Sequence, residues 1–160
     1  MTTNLPLPFC HDLADEAATI AFGRGIAALL RPGDVVALWG DLGAGKSCLA
    51  RAIIMARKPE ENEAPSPTFT LVQTYGDIWH FDLYRIREAD EIYELGWDEA
   101  REDGILLIEW PDRLGTLLPE NRLDITLTFP SPDRPDRRMI CLTASPAWLD
   151  RWSAFRALVP

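Results

Sequence analysis

The feature that most constrains the fold of this chain is a glycine-rich segment between an apolar run and a helix. Residues 40–47 read GDLGAGKS, which matches the phosphate-binding pattern GxxxxGK[ST] without a mismatch. The apolar run Val35–Trp39 precedes it and predicts a strand buried on both faces, and a helix is predicted from about Lys46 to Arg57. A chance glycine turn is the alternative, but the two flanks are the context that a phosphate-binding loop (P-loop) requires.

Each part of this loop has a chemical task. Its glycines let successive backbone N–H groups point inward at phosphate oxygens, and the start of the following helix adds the positive end of its dipole. Lys46 is expected to reach the β- and γ-phosphates, and the Ser47 hydroxyl is expected to ligate Mg²⁺. The segment therefore predicts binding of a nucleotide together with Mg²⁺.

A P-loop also needs an acidic residue near the magnesium, usually at the end of a neighbouring apolar strand. Glu109 directly follows the apolar run Ile105–Ile108, which predicts a central strand that ends close to the P-loop. Asp82 lies on the polar face of a strand predicted over residues 78–84, the face that also carries His80. We favour functional roles for both acids and a structural role for His80. The alternatives are a solvated strand end for Glu109 and pairing with a nearby arginine for Asp82.

An acidic, proline-rich loop is predicted over residues 58–67. Ser66 and Thr68 lie in the connection after the P-loop helix, where a hydroxyl in a nucleotide switch would sense the γ-phosphate. On its own, the segment Pro65–Thr68 is more often an ordinary proline turn, and both interpretations stay open.

The remaining pattern predicts an α/β fold, with a mixed parallel and antiparallel sheet flanked by helices, as a single domain over residues 1–160. A helix capped by Asp12 or Asp15 is expected before the P-loop, weakened in its middle by Gly23 and Gly25. The further predicted elements are strands at 69–75 and 78–84, helical segments at 88–95 and 97–102, a strand at 105–108, an antiparallel pair at 123–129 and 138–142, and a helix at 147–158.

Composition excludes several classes of protein. Sixteen basic residues against 25 acidic ones give a net charge of -9, which argues against a broad basic face for nucleic acid. The three cysteines contain no CxxC pair and leave one unpaired in any disulfide scheme; with only two histidines they argue against zinc and favour a reducing, intracellular compartment. No signal peptide or apolar run of membrane-spanning length is found, so a cytoplasmic protein without membrane contact is predicted.

Several motifs together carry a more specific resemblance. They are GDLGAGKS at 40–47, SPTFTLVQTY at 66–75, HFDLYRI at 80–86, ELGW at 94–97 and ILLIEWPDRL at 105–114. In this order and spacing they resemble the bacterial TsaE (YjeE) family, the small ATPases of tRNA threonylcarbamoyladenosine synthesis. The resemblance runs from about Asp15 to Phe129.

The resemblance implies a P-loop fold, a cytoplasmic location and ATP hydrolysis that supports a partner transferase. The implied partners are TsaD and TsaB, which place threonylcarbamoyl on adenosine 37 of tRNA, so that tRNA is met only through the complex. Ser47 and Glu109 would bind Mg²⁺, although this chain has Ser47 and Cys48 where the family usually has two threonines. The expected ATP-binding residues are Gly40, Gly43, Ala44, Gly45, Lys46, Ser47 and Cys48, and the expected catalytic residues are Lys46, Asp82 and Thr68.

Two other functions were weighed against a partner-dependent ATPase that is slow alone. A nucleotide-gated regulatory module would change its binding to a partner with its nucleotide state, and hydrolysis would be incidental. A small P-loop kinase would need an acceptor pocket and arginine-bearing lid helices, and the sequence has Arg85 and Arg87 but no evident lid. The kinase is therefore the weaker alternative.

Overall fold

The structure, a computed structural model, describes residues 6–60 and 70–159 of the chain. These residues form seven strands and four α-helices, with three short 3-10 segments at Ala89–Leu95, Pro111–Leu117 and Pro146–Trp148. The strands are β1 (Phe9–Leu13), β2 (Val35–Trp39), β3 (Val72–Tyr75), β4 (Ile78–Asp82), β5 (Ile105–Glu109), β6 (Leu123–Thr128) and β7 (Arg138–Ala144). The α-helices are α1 (Glu16–Leu29), α2 (Lys46–Arg57), α3 (Trp97–Asp103) and α4 (Leu149–Arg156).

All seven strands form one sheet in the order β1-β7-β6-β2-β5-β4-β3. The central strand β2 pairs in parallel with both β5 and β6, and β4 pairs in parallel with β5. The β1–β7, β6–β7 and β3–β4 pairs are antiparallel. The predicted α/β fold with a mixed sheet is confirmed. Because β2, β5 and β4 run in parallel, their carboxyl ends meet at one edge of the sheet.

The two faces of the sheet bury separate hydrophobic clusters. One cluster joins the sheet to α1, α2 and α4, through residues such as Ile26, Ile53 and Phe155. The other joins the opposite face to α3 and the flanking 3-10 segments, through residues such as Phe81 and Leu114. The apolar side chains of β2 and β5 contribute to both clusters, which explains why these two strands read as continuous apolar runs.

Helix α1 runs without interruption through its two glycines. Asp15 is its N-cap and accepts a hydrogen bond from Ala18 N at 2.8 Å. Of the two predicted caps, Asp12 and Asp15, the helix therefore uses Asp15. A Cβ on Gly23 would lie 2.7 Å from Ala52 Cβ, so the glycine lets α1 approach α2 closely. Tight packing against α2 therefore compensates for the low helix propensity of Gly23.

The region beyond Phe129, which lies outside the family resemblance, supplies β7 and α4, where a strand and a helix were predicted. Arg151 of α4 forms a buried ion pair with Asp34, which precedes β2, with hydrogen bonds of 2.7 and 2.9 Å. This pair connects the C-terminal helix to the loop that leads into the central strand.

Several predicted boundaries differ from the observed ones. The strand predicted to continue to Tyr84 ends at Asp82, and the predicted C-terminal helix begins as a 3-10 turn before α4. The strand predicted from Phe69 begins at Val72, and Phe69 itself lies outside the described residues. Strand β1 was not predicted at all, because its five residues, FCHDL, are half polar and lie at the edge of the sheet.

The structure pairs two of the three cysteines. Cys10 of β1 and Cys141 of β7 are register partners and form a disulfide, while Cys48 is free. No pattern in the sequence pairs them, because they are 131 residues apart and meet only through the unpredicted strand β1. Disulfides are typical of oxidising compartments, so this bond does not support the reducing compartment that the cysteine pattern favoured.

No helix among the described residues is long and apolar enough to cross a membrane.

Candidate functional site

The loop between β2 and α2 opens at the sheet edge where β4 and β5 also end. Gly45 is the N-cap of α2, with φ 107° and ψ 10°, and no side chain caps the helix. Glycine adopts this left-handed conformation without the strain that a Cβ would cause. The first N–H groups of α2 therefore have no side-chain cap and carry the positive end of the helix dipole, which is the arrangement that binds phosphate.

Arg138, from the start of β7, holds the outer side of this loop. Its guanidinium donates from Nε to Ala44 O at 2.8 Å and from Nη2 to Gly43 O at 3.3 Å, and it lies over the Phe129 ring at 4.1 Å from the centroid. A trans peptide points its C=O and N–H in opposite directions, so the bond to Ala44 O turns the Gly45 N–H to the other side of the loop. Arg138 was missed in the sequence because no motif marks it.

Lys46 is buried against the loop, with 5% of its surface exposed. Its Nζ donates to Gly40 O and lies 3.5 Å from the centroid of the Trp110 ring. Burial lowers the pKa of Lys46, and the negative charges of Glu109 and Asp82 oppose this shift. The ammonium is thus held by one carbonyl and one aromatic face, in a cleft whose nearest ionisable groups are acidic.

Ser47 and Glu109 are joined directly. The Ser47 hydroxyl donates to Glu109 Oε1 at 2.9 Å, across 62 residues of sequence. Glu109 is the last residue of β5 and is 2% exposed, and its other oxygen, Oε2, lies 2.7 Å from His80 Nε2. The structure therefore brings together the two residues that were predicted to ligate Mg²⁺.

Asp82 lies beside Glu109 at the end of the neighbouring parallel strand. The two residues are register partners in the β4–β5 pair, and Asp82 is 5% exposed. Asp82 Oδ1 accepts a hydrogen bond from Tyr84 N at 3.2 Å, which fixes the carboxylate at the point where the chain leaves the sheet. Strand order thus places both predicted acids on the P-loop side of the sheet edge.

The side chains of Lys46, Ser47, Asp82 and Glu109 line one cleft of about 220 Å³. Trp110 contributes a wall of this cleft, and its backbone is left-handed, with φ 59° and ψ 51°. Such a conformation costs a non-glycine residue on the order of 1–3 kcal/mol and is concentrated at functional sites. Trp110 also packs on Tyr84, with ring centroids 5.0 Å apart. The lining residues are Leu42, Gly43, Gly45, Lys46, Ser47, Cys48, Asp82, Tyr84, Glu109 and Trp110.

The donor atoms of this cleft fit a nucleotide phosphate with Mg²⁺. Mg²⁺ prefers six oxygen ligands and is commonly held by one or two protein groups together with phosphates and water. Ser47 Oγ and Glu109 Oε1 are 2.9 Å apart and could share one ion. Among the described residues, no group of three His, Cys, Asp or Glu side chains could hold a metal alone, so phosphate and water would complete the coordination.

Two further predicted site residues are Thr68 and Cys48. Thr68, with the neighbouring Ser66, lies outside the described residues, so its predicted catalytic role stays a prediction. Cys48 lines the cleft and is half-buried, and burial raises the pKa of its thiol. The thiol is therefore protonated at neutral pH and is a poor metal ligand, which fits contact with phosphate better than a metal role.

Comparison with known proteins gives one consistent family. The model of a family described as "Threonylcarbamoyl adenosine biosynthesis protein TsaE" matches residues 13–139. The chain is similar to "tRNA threonylcarbamoyladenosine biosynthesis protein TsaE" of Rickettsia conorii, at 41% identity over 121 residues, which cover 73% of this chain and 69% of that protein. It is also similar to the Bacillus subtilis protein of that name, at 36% identity over 131 residues and 79% of each chain.

Among solved structures, the chain is similar to the crystal structure of Bacillus subtilis YdiB. The TM-score is 0.68 at 26% sequence identity, and the match covers 97% of this chain and 96% of that chain. The likeness therefore includes the sheet and the region beyond Phe129 as well as the motifs.

Proposed function

This chain belongs to the TsaE family, and from that premise we propose that it binds ATP with Mg²⁺ in the described cleft and hydrolyses it. Hydrolysis would support transfer of threonylcarbamoyl to adenosine 37 of tRNA by a partner transferase built from TsaD and TsaB. The reaction would take place in the cytoplasm, and tRNA would be met only through the complex.

The observation that carries this proposal is the bond between Ser47 and Glu109 beside the start of α2. It sets a hydroxyl and a carboxylate 2.9 Å apart at the mouth of a loop whose helix start has no side-chain cap. A phosphate chain placed on that helix start would find the Lys46 ammonium within the same cleft. Mg²⁺ would neutralise charge on the phosphates, with Ser47 and Glu109 as its protein ligands.

Lys46 would change partners when phosphate binds. Its present contacts are the Gly40 carbonyl and the Trp110 ring, both neutral. A phosphate oxygen would offer a charge-assisted hydrogen bond, which is roughly twice as strong as a neutral one. The negative charge of the phosphates would also oppose the effect of burial, which lowers the pKa of Lys46 in the free protein.

Asp82 is proposed to serve hydrolysis rather than binding. Its buried carboxylate lies next to Glu109, and Tyr84 N holds one of its oxygens. A carboxylate fixed in this way can accept a hydrogen bond from a water molecule and orient it toward a phosphate, which is the task of the water-positioning residue in phosphoryl transfer.

Hydrolysis by the chain alone is proposed to be slow. The cleft lining formed by the described residues contains one cation, Lys46, and no arginine. P-loop enzymes without an arginine on the transition-state phosphate are slow until a partner supplies one or orders the switch loop. The same observation also fits a nucleotide-gated regulatory module, which is the second candidate.

Steady-state phosphate release tests this proposal. The purified chain is measured with ATP and Mg²⁺ and no acceptor, then with TsaD, TsaB and tRNA added. Slow release that rises with the partners is expected, and Asp82→Asn should abolish the rise while Asp112→Asn, a matched change at an exposed acid near the cleft, should not. Release at full rate by the chain alone would contradict partner dependence. Full support of the transferase by Asp82→Asn without hydrolysis would favour the regulatory module.

A further inference from the structure

His80 forms a buried pair with Glu109 that the proposed function has not used. His80 is 0% exposed, and its Nε2 lies 2.7 Å from Glu109 Oε2. Glu109 Oε1 accepts from Ser47 Oγ on the other side, so the carboxylate has one partner on each oxygen. Hydrogen bonds thus connect Ser47 at the start of α2, through Glu109 at the end of β5, to His80 in β4.

The pairing with a carboxylate determines which nitrogen of His80 carries the hydrogen. In the proposed function Glu109 ligates a cation as an ionised carboxylate, which only accepts hydrogen bonds, so Nε2 of His80 would carry the hydrogen and donate it to Glu109. His80 Nδ1 has no hydrogen-bond partner among the described residues. A buried histidine with a purely structural role would be expected to have a hydrogen-bond partner on each ring nitrogen, because buried polar atoms are normally paired. Among the residues that the structure describes, the hydrogen-bond partner of this ring is Glu109.

We infer that His80 is a positioning residue that orients the Glu109 carboxylate toward the metal that accompanies the nucleotide. The inference rests on the proposed function, since it assigns Glu109 to that metal. An ion held by Ser47 and Glu109 would take the place of the Ser47 donor on Oε1, whereas the His80 partner on Oε2 would remain. His80 would therefore hold the carboxylate in place while Oε1 served as the ligand. Outer groups that hold a metal ligand in this way tune metal affinity by about 10- to 100-fold.

A packing role and a positioning role predict different results on substitution. A residue that only fills the core affects the stability of the whole chain, and metal-free nucleotide binding would suffer as much as metal-dependent binding. A residue that orients Glu109 affects only the part of the affinity that depends on metal. The donor must also sit at the position of Nε2, which the terminal amide of glutamine can occupy and the shorter amide of asparagine cannot.

The test is calorimetric titration of ATP into the full-length chain, once in EDTA and once with saturating Mg²⁺. The metal factor is the dissociation constant in EDTA divided by the dissociation constant with Mg²⁺. A large factor therefore means that the metal strengthens ATP binding. His80→Met and His80→Asn are expected to reduce the metal factor by about tenfold or more, as Glu109→Gln should, and to leave the EDTA value unchanged. His80→Gln should keep the metal factor within about threefold of the parent, because its amide restores the donor. His11→Met, at the other histidine of the chain, is the matched control and should match the parent.

Each outcome bears on the inference. A parental metal factor in His80→Asn or His80→Met would overturn it, and so would an equal loss in His80→Gln and His80→Asn. A drop in EDTA affinity as large as the drop with Mg²⁺ would show a structural role and would also overturn it. If His80→Met fails to fold, the comparison of His80→Gln with His80→Asn decides. A parent that binds no ATP at all would instead refute the proposed function, which the parent titration shows separately from any variant.

Discussion

Replacing Arg138 by glutamine should weaken nucleotide binding although the residue lies on the outer side of the P-loop. The guanidinium donates to Ala44 O and Gly43 O at 2.8 and 3.3 Å, so the variant leaves two loop carbonyls without their charged donor. Hydrogen bonds to charged groups contribute about 1.5–3 kcal/mol, and the lower end applies here because Arg138 is only half-buried. A freer loop must be ordered by the nucleotide, so we expect a loss of about 1–1.5 kcal/mol, or roughly 5- to 12-fold in dissociation constant.

Calorimetric titration with ATP and Mg²⁺ measures this loss, and Arg134→Gln provides the matched control. Arg134 lies in the loop that leads into β7, it is exposed, and its replacement changes the net charge equally. Arg138→Gln should therefore bind more weakly than Arg134→Gln at every salt concentration. Equal affinities in the two variants would refute the reasoning, since any remaining effect would then come from net charge alone.

Two further predictions concern the cysteines. Reduction of the Cys10–Cys141 disulfide, which closes a loop of 131 residues, should lower the free energy of unfolding by about 2–4 kcal/mol, or Tm by roughly 4–16 °C, when thermal unfolding is compared with and without a dithiol. If the dithiol lowers Tm equally in a Cys10→Ser variant, which has no such bond, the prediction is contradicted. Cys48 should react slowly with iodoacetamide at neutral pH, and the rate should still be rising above pH 9, because burial raises the pKa of its thiol. ATP should protect Cys48 because it lines the cleft, and a reaction rate already at its plateau at pH 7 would contradict the raised pKa.

The central part of the fold could be predicted because the local pattern and the tertiary structure agree there. The apolar runs before Gly40 and Glu109 became the adjacent parallel strands β2 and β5, and each delivered a predicted site residue to the same sheet edge. Parallel pairing needs strands buried on both faces, and continuous apolar sequence is the direct consequence of that burial. Asp82 was also predicted as a site residue, but its position beside Glu109 depends on the register of β4 on β5, which its sequence pattern does not specify.

The parts that were missed depend on contacts between segments that are distant in sequence. Arg138 reaches carbonyls about ninety residues earlier, and nothing near it in the sequence records that partner. Strand β1 is stabilised by pairing with β7 and by the disulfide of Cys10, whereas its own residues have no regular apolar alternation. The hydrogen bond from His80 to Glu109 likewise requires the register of β4 on β5, which a strand pattern alone does not specify.

The conformation of Trp110 also could not be read from the sequence. A left-handed tryptophan is disfavoured by local sterics, and only the surrounding structure holds it there. The following Pro111 disfavours the ordinary helical conformation for Trp110, and packing against Tyr84 and Lys46 fixes the ring. Local rules therefore excluded one conformation without indicating which of the others the cleft would select.

The central claim is that this cleft binds the phosphates of ATP through Lys46, and calorimetric titration of ATP with Mg²⁺ into the parent and Lys46→Ala tests it most directly. Lys46 is the cation of the described cleft lining, and a charge-assisted contact to phosphate contributes about 1.5–3 kcal/mol. We expect the variant to fold with parental circular dichroism and to bind ATP roughly ten- to a hundred-fold more weakly. A folded Lys46→Ala variant with the affinity of the parent would contradict it.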